Sequence, residues 1–389
     1  MTPLVESDVA RLLSDVCAAA AALGCLYLLV ACVAVRRFAK RRGRCSAFPV
    51  PVTILNPLRG AEPGLARRLA SFCIQTYGAP IQLLCGVRDR SDPAIEAVRQ
   101  LANDLRQLRI DLNVDASLYG ANHKISNLVN ALPLARHDVL VMADSDIEVG
   151  PDYLAGVVGE LQRPGVGAVT CVYHGVAAAG VWSRQAALGI NSHFLPSVVA
   201  GLSLGLVKPC FGSTIALNRN VLAQIGGLKA FADALADDYA IGDAVRSAGY
   251  RVAIASFSLG HACFHEDLRS LIGNELRAAR TIKSIRPLGY CGTIVSHPFP
   301  LALIAALLDG GSGLPLAAVA LAARAMLCRA VEREFALERQ AYYLIPIRDL
   351  LSFAVFVLSF LGTSVAWRGS NFRVSPDGNL IPDENRARA

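Results

Sequence analysis

The stretch VLVMADSDIE, residues 139–148, decides the fold and is the starting point for interpreting the rest of the chain. Its first five residues form a short apolar run of the kind that makes a buried parallel strand. Asp144 and Asp146 follow at once, and Gly150-Pro151 closes the segment, so both carboxylates are expected at the carboxyl end of the strand. Two carboxylates buried this close together are unfavourable unless a cation lies between them.

A divalent cation, Mg²⁺ or Mn²⁺, would satisfy Asp144 and Asp146, with a substrate diphosphate supplying further oxygen ligands. Ligands of open α/β sheets also gather at the carboxyl ends of the strands. The alternative is that both residues are solvated turn residues, or that one of them caps the following helix. Because D-x-D is a short pattern, the spacing alone leaves both interpretations open.

Apolar runs and helical patterns alternate along the chain with short connections. Strands are predicted at residues 51–55, 81–87, 112–114, 139–143, 166–173, 214–217 and 250–255. Helices are predicted at residues 64–77, 94–108, 125–134, 152–161, 221–225, 237–248 and 265–285. This alternation predicts an α/β fold with a mostly parallel sheet that helices cover on both faces.

The composition indicates membrane segments around this domain. Hydrophobic residues make up 53% of the chain and charged residues 18%, with a mean hydropathy of +0.42, which is too apolar for an ordinary soluble enzyme. The formal charge is +7, and much of it lies in one cluster. That cluster consists of Arg36, Arg37, Lys40, Arg41, Arg42 and Arg44. We interpret it as a membrane-surface signal. A basic stripe interleaved with aromatic residues would predict nucleic-acid binding, and no such stripe occurs elsewhere in the sequence.

The segment from Val16 to Val35 is uncharged and long enough to cross a bilayer as a helix. Because the basic cluster follows it, the positive-inside rule predicts an external N-terminus and a cytoplasmic domain after the helix. A cleaved signal peptide fits less well, since its basic residues would precede the apolar run. Apolar segments at residues 294–308, 314–327 and 350–367 predict two or three C-terminal crossings or re-entrant helices. Arg324 and Arg348-Asp349 interrupt them and are expected to pair or to face protein.

The 11 cysteines are scattered, several lie in apolar runs, and none has C-x-x-C spacing. They predict reduced core or membrane residues and not a disulfide framework or a zinc site. A reducing compartment is therefore expected around the domain.

Two further polar positions are candidates for binding a nucleotide. Asp89 follows the second predicted strand, where a carboxylate can contact a nucleoside, whereas Asp92 is better explained as a helix cap. Lys124 precedes a predicted helix and could neutralise a phosphate, although a surface lysine explains it equally simply.

Two charged pairs on predicted helices have both a catalytic and a structural interpretation. Asp237-Asp238 opens a helix, so the pair either complements the helix dipole or supplies a desolvated carboxylate base. Arg277 and Arg280 lie three residues apart on one helix face, which suits a diphosphate leaving group. Lys283 extends that face, and a basic face beside anionic lipid is the alternative.

The order of these features resembles the processive-type GT-A glycosyltransferases and, within them, the ceramide glucosyltransferase-like branch. The resemblance covers about residues 50–290 and the membrane topology. It is carried by LLC at 83–85 with DPAI at 92–95, NHKISNL at 122–128, NSH at 191–193 and ADDY at 236–239. The run RAARTIKSIRP at 277–287 is most similar to the bacterial hopanoid-biosynthesis glycosyltransferases, which attach N-acetylglucosamine to bacteriohopanetetrol.

The resemblance implies a GT-A (nucleotide-diphospho-sugar transferase) fold with N- and C-terminal transmembrane helices. It implies an inverting, Mg²⁺- or Mn²⁺-dependent transfer from a UDP-sugar to a membrane lipid alcohol. It also implies eight site residues with separate roles. They are Asp89 for uridine, Asp144 and Asp146 for the metal and diphosphate, Lys124, Arg277 and Arg280 for departing UDP, Asp238 as the base, and His193 for the acceptor pocket. A hydrogen-bonded core histidine is the alternative for His193.

The same resemblance implies four regions and a location. They are an anchor with its basic segment at 1–45, a cytoplasmic catalytic domain at 46–290, membrane helices at 291–367 and a polar tail at 368–389. The implied location is the bacterial inner membrane, crossed more than once. One departure matters, because Thr281 stands where the family motif usually has tryptophan. Together with too few membrane helices for a polymer channel, it argues for transfer of a single sugar.

Two other functions are compatible with the sequence. The first is a ceramide or diacylglycerol glucosyltransferase, which belongs to the same enzyme class but transfers the sugar to a different lipid acceptor. A non-catalytic membrane scaffold with a sugar-nucleotide fold is the more distant alternative. It would be expected to lose at least one of the acidic positions, and all of them are present.

Overall fold

The computed structural model describes residues 3–41, 48–362, 364–367, 370–374 and 380–382, with side chains for residues 8–41 and 48–362. Arg42 and Arg44 of the basic cluster, and parts of the predicted polar tail, lie outside the described residues. The strands are β1 Val52–Pro57, β2 Ile81–Val87, β3 Arg109–Val114, β4 Val139–Met142, β5 Ile147–Glu148, β6 Val166–Ala177, β7 Ile215–Asn218, β8 Arg251–Cys263, β9 Ser364–Trp367, β10 Ser370–Val374 and β11 Leu380–Pro382. The helices are α1 Pro3–Lys40, α2 Leu65–Cys73, α3 Ala94–Asp104, α4 His123–Ala131, α5 Tyr153–Leu161, α6 Gly180–Gly189, α7 Leu195–Ser203, α8 Arg219–Gln224, α9 Asp237–Ser247, α10 Leu268–Ile285, α11 Pro287–Gly292, α12 Pro298–Leu308, α13 Leu314–Phe335 and α14 Ile345–Leu358.

Eight strands form one mixed sheet in the order β3-β2-β1-β4-β7-β6-β8-β5. Strands β3, β2, β1 and β4 run parallel, β7 is antiparallel to both of its neighbours, and β6 is parallel to β8. Because β7 reverses direction, the segment that enters β7 meets the carboxyl end of β4. The mostly parallel sheet predicted from the sequence is present, and a separate three-stranded sheet joins β9, β10 and β11.

Apolar side chains on the central strands alternate between the two faces of the sheet. In β1, Ile54 belongs to the cluster that α2, α3 and α5 cover, whereas Leu55 belongs to the cluster under α4 and α9. In β4, Val141 and Leu140 divide in the same way. Burial on both faces explains why these strands are continuous apolar runs, as expected for a sheet covered by two helical layers.

The predicted elements are found, and the largest differences lie in the second half of the sheet. Strand β2 has the predicted bounds, but β8 continues eight residues past the predicted end at Ala255, to Cys263. Polar residues such as Ser258 and His261 obscured this extension. Both side chains are only partly buried, and the strand carries a shift of register against β6 just before Ser258.

Two helices among the described residues are long and apolar enough to cross a membrane, or three if one bent pair counts as a single span. They are the stretch Asp8–Lys40 within α1, and α13; the bent pair is Pro287–Ser296 with α12, which meet at 69°. The segment predicted at 350–367 is different, because α14 ends at Leu358 and β9 follows. A helix of 14 residues spans only about 21 Å, less than a bilayer core.

The charged residues within the apolar C-terminal segments are paired, as the sequence predicts. Nε of Arg324 in α13 lies 3.1 Å from Oδ1 of Asp349 in α14 and donates to Oδ2 at 3.3 Å, and both side chains are buried. Arg324 also donates to the carbonyl of Ser192. Arg348 forms a two-point salt bridge with Glu275 of α10 at 2.8 Å through each nitrogen. These pairs connect the membrane-proximal helices to the helix that carries Arg277.

Replacing Arg324 with methionine should destabilise the protein strongly, because the buried carboxylate of Asp349 loses its cation. Breaking a buried ion pair from one side typically costs about 3–5 kcal/mol. We expect Arg324→Met to lower the thermal unfolding midpoint of the detergent-solubilised protein. Arg333→Met, on an exposed position of the same helix, is the matched control and should unfold close to wild type. Equal midpoints for the two variants would contradict a stabilising pair.

Candidate active site

A cavity of about 720 Å³ lies at the carboxyl edge of the sheet, where β1 and β4 end and α9 begins. Five of the eight residues predicted from the sequence line it. They are Lys124, Asp144, Asp146, Asp238 and Arg277. Residues that are far apart in the sequence therefore meet in one space large enough for a nucleotide-sized ligand.

The turn that carries Asp144 and Asp146 is held from behind by polar contacts to its backbone. Asn56 donates to the carbonyl of Ala143 at 3.0 Å. The N–H of Ala262 donates to the carbonyl of Asp146 at 2.8 Å. With the main chain fixed in this way, the two carboxylates of the turn line the cavity.

Lys124 is the cation between two of the acids. Its Nζ lies 2.7 Å from Asp144 and 3.4 Å from Asp237. Burial by itself lowers the pKa of Lys124, but the facing carboxylates outweigh it and the pKa lies above its ordinary value. Asn122 places this lysine, because its side chain caps α4 by accepting from the N–H of Lys124 and donates to Asp237 at 3.2 Å. The lysine is therefore part of the site and not a free surface residue.

Asp238 is held by backbone donors at the start of α9. The N–H of Gly212 donates to it at 3.0 Å and the N–H of Tyr239 at 2.7 Å. Burial and the neighbouring Asp237 raise the pKa of Asp238 to about 6. An added Cβ at Gly212 would lie 2.6 Å from Oδ2 of Asp144, so a side chain there would displace that carboxylate. A carboxylate with a pKa near neutrality inside a cavity has the properties of a general base.

The two arginines of α10 are placed differently. Arg277 lines the cavity, and burial lowers its pKa although Tyr173 and the acids of the site favour its charged form. Arg280 lies outside the lining, with its guanidinium group beside Gly362. A single basic face for both residues was predicted, and the structure brings only Arg277 to the cavity. The role of Arg280 stays a prediction.

Asp89 and His193 are described residues that also lie outside the cavity lining. Asp89 is exposed in a turn, where it accepts from the N–H and hydroxyl of Ser91, and these bonds lower its pKa. His193 is buried 3.3 Å from Asp349 and 2.8 Å from the hydroxyl of Ser192. The structure therefore favours the core-histidine interpretation of His193, and a contact between Asp89 and uridine stays a prediction.

Asp92 is a capping residue, as its position before α3 indicates. Its carboxylate accepts from the N–H of Ala94 at 2.9 Å and also from the N–H of Gly60 at 2.9 Å. The second bond ties the loop after β1 to the loop after β2. Asp92 thus supports the rim of the site without lining the cavity.

Several residues of the cavity were missed by the sequence analysis. His261 faces Asp146 at 3.4 Å, and Tyr173 stacks against Phe194 with ring centroids 4.8 Å apart. Glu62 lines the cavity from the loop before α2. The alternation of Ala253, Ala255, Phe257 and Leu259 was the available signal that β8 continues toward His261.

Asp144 and Asp146 can hold a divalent cation if a substrate diphosphate supplies the remaining oxygen ligands. Among residues 8–41 and 48–362, no group of three or more His, Cys, Asp or Glu side chains is arranged to hold a metal. Oδ1 of Asp146 is buried and, within the same ranges, receives no hydrogen bond. Burial raises the pKa of Asp146, but His261, Lys124 and Arg68 together outweigh it, so the pKa lies below its ordinary value and the carboxylate stays charged. Asp144 and Asp146 supply the hard oxygen ligands that Mg²⁺ or Mn²⁺ takes together with a diphosphate.

Comparison with known proteins gives matches along most of the chain. Residues 16–380 match the family model described as Glycosyl transferase family 21. Ceramide glucosyltransferase 1 of Caenorhabditis elegans is 24% identical over 206 residues, which are 53% of this chain and 44% of that protein. Ceramide glucosyltransferase 3 of the same organism is 21% identical over 349 residues, which are 85% of this chain and 74% of that protein. The chain thus spans less than half the length of the first relative.

Among solved structures, a mannosyltransferase from Pyrobaculum calidifontis in complex with GDP-Man and Mn²⁺ is similar, with a TM-score of 0.46 and 22% identity. The alignment covers 88% of this chain and 99% of that chain. A glucosyl-3-phosphoglycerate synthase from Mycobacterium tuberculosis, in complex with Mn²⁺, UDP-Glc and phosphoglyceric acid, has a TM-score of 0.37 and 15% identity over 64% of this chain and 81% of that one.

The mixed sheet, with helices on both faces and a carboxylate turn at the strand ends, is the GT-A architecture of nucleotide-diphospho-sugar transferases. The chain belongs to glycosyl transferase family 21, whose model covers the sheet and the membrane helices. The resemblance to the ceramide glucosyltransferase-like branch is confirmed by this match and by the relatives.

Replacing Lys124 with glutamine should destabilise the protein at neutral pH, because Asp144 and Asp237 lose their ion pairs. Breaking a buried ion pair from one side typically costs about 3–5 kcal/mol, and the partial exposure of Asp144 reduces that cost here. In the variant the pKa of Asp144 rises further, so the folded state binds a proton more readily than the unfolded state. The deficit should therefore shrink as the pH falls from 7 toward about 5.

Chemical denaturation at several pH values measures this deficit. Lys208→Gln, which removes an exposed lysine, is the control and should show no such trend. A Lys124→Gln deficit that stays constant or grows on acidification would contradict the proposed pairing.

Proposed function

We propose that the protein is an inverting glycosyltransferase that moves N-acetylglucosamine from a UDP-sugar to a hopanoid alcohol such as bacteriohopanetetrol. The observation that carries the proposal is the single cavity in which the Asp144 and Asp146 turn, Asp238 and Arg277 meet. A donor diphosphate and an acceptor hydroxyl both need to lie in such a cavity. The similarity of residues 277–287 to hopanoid-biosynthesis enzymes supports the choice of acceptor and sugar.

The donor end of the site is the edge that carries the acids of β4. Asp144 and Asp146 would hold Mg²⁺ or Mn²⁺, which when bound supplies positive charge to the diphosphate. Lys124 and Arg277 line the same space and offset the negative charge that develops on departing UDP. Arg280 contributes in this proposal by adding positive charge to α10, and Asp89 contacts the uridine at the rim.

The acceptor end is served by Asp238. Its carboxylate takes the proton from the acceptor hydroxyl, and the resulting oxygen attacks the anomeric carbon from the face opposite UDP. The new bond to the lipid oxygen forms as the bond to the diphosphate oxygen breaks, so the configuration inverts. A pKa of about 6 keeps Asp238 ionised at neutral pH and still basic enough to accept the proton.

The remaining cavity walls support an apolar acceptor beside a bilayer. Phe194, Phe211, Ile282 and Ile285 also line the cavity. The helix α7, which follows Phe194, packs against α1. We place the catalytic domain on the cytoplasmic side of a bacterial inner membrane that the chain crosses more than once. Thr281 lines the cavity where the family motif usually has tryptophan, which supports transfer of a single sugar.

Glucosylation of a ceramide or diacylglycerol is the second candidate. The observation that favours it is the similarity of the chain to ceramide glucosyltransferases of Caenorhabditis elegans. Both candidates use the same residues in the same roles. They differ in the sugar and in the shape of the lipid headgroup that reaches Asp238.

Mass spectrometry of lipids decides between these candidates. Membranes that contain the expressed protein are supplied with UDP-N-acetylglucosamine or UDP-glucose and with bacteriohopanetetrol, ceramide or diacylglycerol. We expect one N-acetylhexosamine on the hopanoid and no longer sugar chain. Glucosylated ceramide or diacylglycerol as the sole product would support the second candidate, and no product from any pair would favour a non-catalytic scaffold.

Asp238→Asn should lower the transfer rate by about 10²–10⁴-fold, because the amide cannot accept the proton. UDP-sugar binding should be largely unchanged. In the wild type, kcat/KM should fall as the pH drops through the pKa of Asp238, about 6, since the protonated acid is not a base. Asp243→Asn, at an exposed position of the same helix, is the control and should keep both the rate and the pH profile. Normal turnover by Asp238→Asn would show that another group is the base.

A further inference from the structure

Arg68 is a buried charge that the proposed reaction does not use. It lies on α2, its side chain is 1% exposed, and it is among the largest fully buried side chains in the described part of the chain. Burial of a guanidinium group is unfavourable unless its donors are satisfied. Its neighbour Arg67 is 70% exposed and pairs with Glu148 at the surface. The two arginines therefore share a helix and a charge but have opposite environments.

The guanidinium of Arg68 contacts three separate segments of chain. Its Nε donates to the carbonyl of Ser145 at 2.8 Å, and Nη1 donates to the carbonyl of Pro63 at 2.8 Å. Its Nη2 lies 3.3 Å from the carboxylate of Glu62. The group also lies over the ring of Phe264, 5.0 Å from the centroid. One side chain thus joins the loop before α2, the turn after β4 and the end of β8.

Each of these segments contributes to one end of the cavity. Ser145 separates Asp144 from Asp146, and Glu62 lines the cavity beside them. Phe264 lies three residues beyond His261, which faces Asp146. The contacts of Arg68 therefore converge on the place where the acids of the turn would receive a cation.

The bond from Arg68 holds the backbone carbonyl of Ser145, the central residue of the turn. With the carbonyl of Ser145 directed to Arg68, the flanking side chains of Asp144 and Asp146 are left to line the cavity. Asn56 and the N–H of Ala262 hold the carbonyls on either side in the same manner. Arg68 is the charged member of this set, and a planar guanidinium group can bond two carbonyls and a carboxylate at fixed angles.

The charge of Arg68 also offsets the repulsion among the acids. Burial and the nearby Asp146 raise the pKa of Glu62, and Arg68 opposes that rise. The positive charge of Arg68 behind the turn therefore favours an arrangement in which these carboxylates stay close to one another.

We propose that Arg68 is a positioning residue that holds the Asp144-Ser145-Asp146 turn and Glu62 in the arrangement that receives a divalent cation with the donor diphosphate. The inference rests on the proposed function, because the cation and diphosphate belong to it. It goes further by assigning the geometry of the metal-binding end to a side chain that touches neither ligand. Residues that orient metal ligands typically change metal affinity by about 10–100-fold when replaced.

Binding measurements on the full-length protein in detergent or nanodiscs test this role. The variants are Arg68→Lys, which keeps the charge but loses the fork of donors, and Arg68→Met, which loses both. Arg67→Lys and Arg67→Met are the matched controls, and Asp146→Ala is the reference for a lost metal ligand. Mn²⁺ affinity with UDP present is measured by titration, next to the thermal unfolding midpoint and the KM for the lipid acceptor.

We expect Arg68→Lys to weaken Mn²⁺ binding by about tenfold and Arg68→Met by more, with the lipid KM unchanged. Arg67 variants should bind as the wild type does. Wild-type Mn²⁺ affinity in folded Arg68 variants would overturn the inference. Loss of folded protein in both Arg68 variants would also overturn it, since the residue would then serve stability alone. If the wild type itself binds neither Mn²⁺ nor UDP, the proposed function fails. If the wild type binds both and the Arg68 variants bind equally well, only the role of Arg68 fails.

Discussion

Charge balance at the carboxyl edge of the sheet is the constraint on which the rest of the structure depends. The acids there are tolerated because each faces a compensating group from another element. Lys124 at the start of α4 lies between Asp144 and Asp237, and His261 of β8 faces Asp146. Asp238 is held by backbone N–H groups instead. Helices and strands around the cavity are therefore placed by electrostatics as well as by apolar packing.

Most of the fold could be predicted because its central strands are unambiguous. Runs such as residues 81–87 and 139–143 are buried on both faces, so their composition differs clearly from that of the helices. Prediction failed where a strand is only partly buried and carries polar residues. Strand β8 continues through Ser258 and His261, and its polar residues hid the alternation beyond Ala255. The antiparallel direction of β7 could not be read from four residues, because direction depends on the chain that precedes them.

The site could be predicted in part for a similar reason. Acids at strand ends and helix starts have positions that local pattern determines, and Asp144, Asp146 and the pair Asp237-Asp238 were found in this way. The choice of Asp238 within that pair came from the family resemblance. Partners that come from distant segments leave no local signal. His261 and Arg68 act through contacts across 115 and 77 residues of chain, and neither lies in a recognisable motif. Arg280 shows the limit of helix-face arguments, since three residues of spacing from Arg277 did not bring it to the cavity.

The two-point salt bridge between Glu275 and Arg348 gives α10 a fixed height relative to the apolar helices. Arg277 lies two residues from Glu275. Under the proposed function, this salt bridge would also fix the distance between the cavity and the hydrocarbon layer. A lipid presents its hydroxyl at a depth that depends on its own rigid length. Selection among acceptors would then depend on the depth of the hydroxyl in the bilayer as much as on the fit of the headgroup to the site. A headgroup of the right chemistry at the wrong depth would not be glycosylated.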